Sequence, residues 1–243
     1  MKPFVMFGVH PLFGEYVDAI HAAGGCLARV VLNVSEPDRP PGESFRESLA
    51  RYHQWRVSRG ITGQIEVLWI DEYQPRMDEI PVLGFRGVKA NPLVKLLKEK
   101  HAMSFPPLIH PAAYVSPMAT IGEGVFVGAN ATIASNAKIG AFTLINRSAA
   151  IGHDAVVEEY VVIGPSVSTA SWVRLGEGCV LGIACTIIER INVGAGSYVA
   201  AGAVVIKDVP PGHLVAGVPA EVKRVIQAGS LQDEQDDPPP HTL

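Results

Sequence analysis

From Ile109 to Val205 an aliphatic side chain recurs at every sixth position, with Thr169 the one exception in seventeen steps. The series runs Ile109, Val115, Ile121, Val127, Ile133, Ile139, Ile145, Ile151, Val157, Ile163, then Leu175, Leu181, Ile187, Val193, Val199 and Val205. The fourth residue after each is small or aliphatic (Ala113, Ala119, Val125, Ala131, Ala137, Thr143), and the residue directly after is often Gly, as at 122, 128, 140, 152, 164, 176, 182 and 194. A helix needs a period of about 3.6 and an ordinary strand a period of about 2. Period six fits neither alone. It fits a β-solenoid in which each hexad makes one short strand and one turn, the aliphatic pointing inward and glycine permitting the turn backbone. Three hexads close a triangular coil, so residues 18 apart stack about 4.8 Å from one another. No insertion breaks the register.

Residues 1–107 lack this period. Apolar runs PFVMFGV, CLARVVLNV, EVLWI and PVLGF alternate with helical stretches at 14–23, 45–57 and 91–101. That alternation predicts a small parallel α/β domain over 1–107, followed by the solenoid over 108–210. The helix at 45 has Glu43 or Ser44 near its cap, and Asn91-Pro92 starts the third. After Val205 the period stops. Val218-Pro219-Ala220 predicts a short helix to about Gln227, a cap over 211–228 that would cover the open strand edges. Residues 229–243 are polar, acidic and proline-rich, the composition of a disordered tail.

Charge narrows the function. The chain has 20 basic and 24 acidic residues, and four of the acids (Asp233, Glu234, Asp236, Asp237) lie in the tail. The neutral body lacks the basic footprint of a nucleic-acid binder. No apolar run approaches the ~20 residues that span a bilayer, and the N-terminus does not read as a signal peptide. Three scattered cysteines make neither a disulfide framework nor a zinc cluster. A soluble cytoplasmic protein is expected. Cys179 and Cys185 both stand four residues after an inward aliphatic, so both are expected inside as small hydrophobes rather than as nucleophiles.

Two of the eight histidines fall within the repeats, His110 in the first rung and His153 two residues after the inward Ile151. His153 therefore sits at a coil corner, pointing outward. Stacking by 18 puts Ser171 over His153, Gly164 over Asn146 and Ala201 over Ile183, leaving small residues and exposed backbone where a slender ligand could lie along the coil edge.

The stretch INRSAAIGHDAVVEEYVVIGPSV, with LIHPAAYVSP before it and VAGVPAEVKR at the close, resembles bacterial hexapeptide-repeat sugar acyltransferases of the sialic-acid O-acetyltransferase and nucleotide-amino-sugar N-acetyltransferase type. The resemblance is close over roughly 80–228. It implies a left-handed β-helix behind a Rossmann-like nucleotide-sugar domain, with acetyl-CoA as acyl donor and no metal. It also implies a homotrimer with the acyl-CoA held between neighbouring solenoids. Carried across, His153 is the general base and Asp154 the acid that orients it. Asn146 lies near the acceptor, and Gly164, Ser171, Ile183 and Ala201 line the acyl-CoA channel. The Ser171 amide would face the thioester carbonyl. The family's glycine-rich loop after the first strand is altered here to Gly8-Val9-His10-Pro11-Leu12-Phe13-Gly14, and its acids after the second strand are replaced around Asn33. Gly8, His10 and Asn33 are the acceptor-binding candidates.

The implied reaction is transfer of an acyl group to an amine or hydroxyl of a sugar, a nucleotide-linked 4-amino sugar foremost. An unperturbed imidazole titrates at about 6.5 and can accept the proton near neutral pH. Two other readings share the solenoid. A γ-type carbonic anhydrase needs three histidines around zinc, and the repeats offer no second histidine at a suitable spacing from His153. A non-catalytic assembly module needs no His153-Asp154 pair. Phe126, Phe142, Tyr160 and Trp172 are expected on the solenoid surface, where they would suit contacts between copies.

Overall fold

The computed structural model describes residues 1–8, 12–34, 44–84 and 86–226. The chain divides between Pro111 and Ala112 into two compact units. The tail foreseen over 229–243 and the loop residue His10 lie outside the described residues.

In the first unit the predicted alternation is realised as β1 (Lys2–Phe7), α1 (Phe13–Ala22), β2 (Gly25–Leu32), α2 (Phe45–Ser58), β3 (Glu66–Trp69), β4 (Ile80–Leu83) and α3 (Asn91–His101). All strands pair in parallel, in the order β3-β2-β1-β4. Phe4 to Phe7 are all buried, the unbroken apolar run of a parallel strand covered on both faces. α1 buries Phe13, Tyr16, Val17 and Ile20 at helical spacing. Ser44 caps α2 in a reciprocal box with Glu47, each side chain taking up the other's backbone N–H at 3.2 Å. The buried Arg29 of β2 is compensated by Glu79 at 2.8 Å and Glu66 at 3.3 Å, which offsets the cost of removing its charge from water.

In the second unit the period of six becomes two-residue rungs on three parallel sheets. Every coil advances the register by 18: Leu144 pairs with Val162, Ala150 with Ser168, and Val156 with Arg174. The inward residues Ile133, Ile145 and Ile163 are wholly buried. Thr169, the break in the series, is buried too, and its hydroxyl accepts a hydrogen bond from the Gly152 N–H at 3.2 Å.

The turns differ from expectation in one physical respect. Glycines directly after the aliphatic do not carry the unusual backbone. They are glycine because a Cβ would strike the next coil: at Gly140 the Glu158 carbonyl lies 2.6 Å from where it would sit, and at Gly152 the obstacle is the Ala170 carbonyl. The left-handed conformation falls two residues later. From Gly124 to Gly202 every sixth residue has φ between 56° and 66°, among them Asn136, Asp154, Trp172 and Arg190. A side chain there costs roughly 1–2 kcal/mol. From Phe142 to Gly202 each such N–H reaches a carbonyl on the preceding coil, as Asp154 does to Ser135 at 3.0 Å and Trp172 to His153 at 3.1 Å. A hydrogen bond of about 1 kcal/mol offsets most of that cost, so the corner tolerates nearly any residue.

Two expectations are corrected. The C-terminal helix does not form. His213–Ala216 pairs in parallel with Tyr198–Val199, and Glu221–Val225 folds back antiparallel onto it. A segment of five residues with valines at 222 and 225 is too short for a stable helix, and the exposed sheet edge offers it hydrogen bonds at once. Phe126, Phe142 and Tyr160 are buried, not exposed. Phe142 and Tyr160 stack ring on ring at 5.5 Å on successive coils, and Gly124 leaves the space the Phe142 ring fills. Trp172 is exposed as expected. Among the described residues no helix is long and apolar enough to cross a membrane.

Candidate active site

His153 lies in the turn between the rungs Ala150–Ile151 and Val156–Val157. Gly152 before it lets the Ser171 amide nitrogen come within 2.8 Å of where a Cβ would stand. Asp154 after it takes the left-handed conformation, φ 58°. This reversal brings the two side chains together, His153 Nδ1 to Asp154 Oδ2 at 2.7 Å. The other carboxylate oxygen accepts from Asn136 Nδ2 at 3.1 Å. A carboxylate can only accept, so Nδ1 carries the proton of this hydrogen bond, and Nε2, which has no hydrogen-bond partner among the described residues, is the acceptor of the neutral ring. The imidazole is 44% exposed, open to a reactant. Ser171, on the next coil, keeps its N–H free of any hydrogen bond among the described residues. An imidazole so held can accept a proton, and an unbonded backbone N–H stands on the next coil.

The hydrogen bond from His153, and after it that from Asn136, holds the Asp154 carboxyl below its ordinary value. A depressed folded-state value means the pair is intact above the ordinary carboxylate range and is lost only as pH falls through the lowered value. Carbon-13 titration of Asp154 is expected to give a midpoint below the usual ~3.9. Asn136→Ala should raise that midpoint, and His153→Ala should raise it further. A midpoint at or above the usual value in the intact protein would contradict the geometry.

The sequence-derived site residues do not all meet. His153, Asp154 and Ser171 share one vertex of the solenoid. Asn146, Gly164, Ile183 and Ala201 share another, across the sheet that holds Ala150–Ile151, Ser168–Thr169 and Thr186–Ile187. The pairwise stacking by 18 holds within each vertex, but one edge of one chain does not carry both groups. Asn146 is buried, its Oδ1 accepting from the Arg147 N–H at 2.7 Å, whereas Ile183 is 52% exposed. In the first unit, Gly8 and Asn33 directly follow β1 and β2 at the carboxyl edge of the sheet. Gly8 is buried with φ 74°, and the Asn33 Oδ1 is buried without a partner. A cavity of about 530 Å³ between α1 and α2, lined by Phe13, His21, Tyr52 and Trp55 among others, contains none of the predicted residues.

Sequence reasoning missed Asn136 and Arg190, and gave Trp172 only a surface role. The signal was available: 136, 154, 172 and 190 are spaced by 18. The cysteines are as expected. Cys179 and Cys185 are buried, and burial pushes the Cys185 thiol up to about 12, which removes it as a nucleophile near neutral pH. Among the described residues no group of three His, Cys, Asp or Glu is placed to hold a metal.

Coils of 18 residues with left-handed corner residues are the form of a hexapeptide-repeat left-handed β-helix, and the known proteins this chain is similar to include acetyltransferases of that fold. Residues 104–204 match the family described as GMPPB C-terminal domain. Over 92% of this chain and 98% of the other, the fold is similar to a perosamine N-acetyltransferase from Caulobacter crescentus solved with CoA and GDP-perosamine, at 25% identity and TM-score 0.69. The acetyltransferase domain of PglB from Neisseria gonorrhoeae FA1090 shares the fold, at 22% identity and TM-score 0.72 over 92% of this chain and all of that domain. Serine acetyltransferase 2 of Arabidopsis thaliana is 50% identical over 54 residues, 22% of this chain and 17% of that protein. The chain spans no more than about a quarter of the curated relatives it matches first.

Proposed function

We propose that the protein transfers an acetyl group from acetyl-CoA to an amine or hydroxyl of a sugar, with a nucleotide-linked 4-amino sugar as the acceptor class and His153 as general base. The observation that carries this reading is the His153–Asp154 pair at 2.7 Å, which leaves Nε2 without a partner, with the unbonded Ser171 amide on the next coil. Likeness to an enzyme crystallised with CoA and GDP-perosamine supports the substrate class.

In the reaction, Nε2 takes the proton from the acceptor as its nitrogen or oxygen attacks the thioester carbonyl. The Ser171 N–H stabilises the charge that develops on the carbonyl oxygen. The C–S bond breaks, the new C–N or C–O bond remains, and the proton passes from Nε2 to the departing thiolate. Asp154 holds the ring and the charge it acquires.

The acceptor's nucleotide would lie at the carboxyl edge of the first unit's Rossmann-like sheet, where open α/β sheets take ligands. The orphan Asn33 Oδ1 is an acceptor awaiting a hydroxyl, and Gly84 leaves room for the Gly8 carbonyl. Asn33→Ala is expected to raise KM for the sugar nucleotide about tenfold, the scale of one lost hydrogen bond to a polar ligand group, while leaving KM for acetyl-CoA unchanged.

The separation of the two vertices favours a homotrimer. Gly164, Ile183 and Ala201 can line the acyl-CoA channel beside His153 only if the second vertex comes from a neighbouring copy. A sedimentation-coupled assay should find activity in the oligomer and none in the monomer. Cys26, Cys179 and Cys185 are all free thiols, in keeping with a reducing, cytoplasmic compartment. The deciding experiment is mass spectrometry of products from acetyl-CoA and a panel of UDP-, GDP- and dTDP-linked amino sugars. A mass gain of one acetyl group on one of them supports the reading. No acetylated product with any acceptor, together with no binding of acetyl-CoA, returns the chain to the class of non-catalytic solenoids.

A further inference from the structure

One vertex of the solenoid carries an unbroken chain of contacts that runs past the proposed catalytic pair. Asn136, Asp154, Trp172 and Arg190 stand at successive 18-residue steps, all in the left-handed corner conformation. Asn136 donates to Asp154. The His153 ring meets the Trp172 ring at 4.7 Å, nearly perpendicular at 81°. The Arg190 guanidinium lies over the Trp172 ring, 4.5 Å from its centroid. Arg190 has no ion pair or hydrogen-bonded side-chain partner among the described residues.

We infer that Trp172, steadied by Arg190, is a positioning residue for His153. The inference rests on the reading of His153 as general base. Asp154 fixes Nδ1 but leaves the imidazole free to swing about that one bond. The indole packs against the ring from the next coil and limits that swing, so the direction of Nε2 is fixed. An exposed indole would itself be mobile, and 46% of Trp172 is exposed. The guanidinium on its face is what restrains it, through the attraction between a cation and a ring quadrupole. Arg190 suits this task because its planar cation stacks on an aromatic face as the compact ammonium of lysine does not.

Misplacing a catalytic group by about 1 Å costs on the order of a hundredfold in rate. Trp172→Ala is therefore expected to lower kcat by about 10- to 100-fold with KM for acetyl-CoA and sugar nucleotide little changed. Trp172→Phe, which keeps a ring edge against the imidazole, should hold kcat within about threefold. Arg190→Ala should cost about two- to fivefold, the scale of an exposed cation–π contact. The decisive arm is the double variant. In the His153→Ala background, Trp172→Ala should lower the residual rate no further, because groups that act as a unit are not additive. A readout independent of turnover is the proton resonance of His153 Cε1, whose ring-current shift should vanish in Trp172→Ala and persist in Trp172→Phe.

The outcomes separate the two readings. Full turnover by His153→Ala overturns the general-base reading and the inference with it. Loss of turnover in His153→Ala but not in Trp172→Ala overturns the inference alone. So does a Trp172→Ala loss that persists undiminished without His153, which would mean the indole touches substrate instead. An unshifted His153 resonance in the intact protein overturns it at the level of structure.

Discussion

His153→Ala is expected to lower kcat by about 10²–10⁴-fold, the usual share of a general base, while the protein unfolds at its ordinary temperature. The two halves of that expectation have separate physical grounds. The catalytic half follows from the proposed role of Nε2, the ring nitrogen left without a partner once Asp154 holds Nδ1. The structural half follows from exposure. The ring contributes one hydrogen bond to Asp154 and one edge contact to Trp172, and neither lies in the interior. Asp154 keeps its bond from Asn136 and its corner bond to Ser135. Steady-state kinetics and a thermal melt on one preparation check both halves. Turnover at the wild-type rate would remove His153 from the chemistry.

Ile163→Ala carries the largest stability effect, a loss of about 2–5 kcal/mol for a buried isoleucine truncated to alanine. Ile163 is wholly buried and pairs in register with Ile145 below and Leu181 above. The interior of a coil is closed by three such side chains and their small companions. Nothing flexible can move in to fill a void. That loss is a large part of the roughly 5–15 kcal/mol by which domains are stable. In a solenoid it is also local, since each coil is held chiefly by its neighbours. The weakened coils carry the turns at 152–155 and 170–173, so activity should fail on heating before the whole chain melts. Urea denaturation followed alongside activity measures this. A loss below about 1 kcal/mol would mean that the rung is not close-packed.

The period of six made the solenoid legible, including its 18-residue coil, its inward positions and the corner placement of His153 and Asp154. The strands and helices of the first unit were legible for the same reason, since burial of apolar faces imposes a short-range periodicity that any reader can count. The failures were of another kind. Val218-Pro219 reads locally as a helix start, yet the nearest unpaired strand edge decided the matter. Phe142 and Tyr160 occupy turn positions that read as surface, yet they bury one another because their turns stack.

The glycines illustrate the same division. Their spacing along the chain marked the corners, but the reason each is glycine is a carbonyl on another coil. The sequence alone determined which residues point in and which point out, because that depends only on the period. Tertiary structure decided which outward residues meet. It set His153 against Asp154, Trp172 and, through the indole, Arg190, and it put Gly164, Ile183 and Ala201 on a different vertex. Contacts between coils depend on distances across some eighteen residues of chain, which close only when the winding is complete.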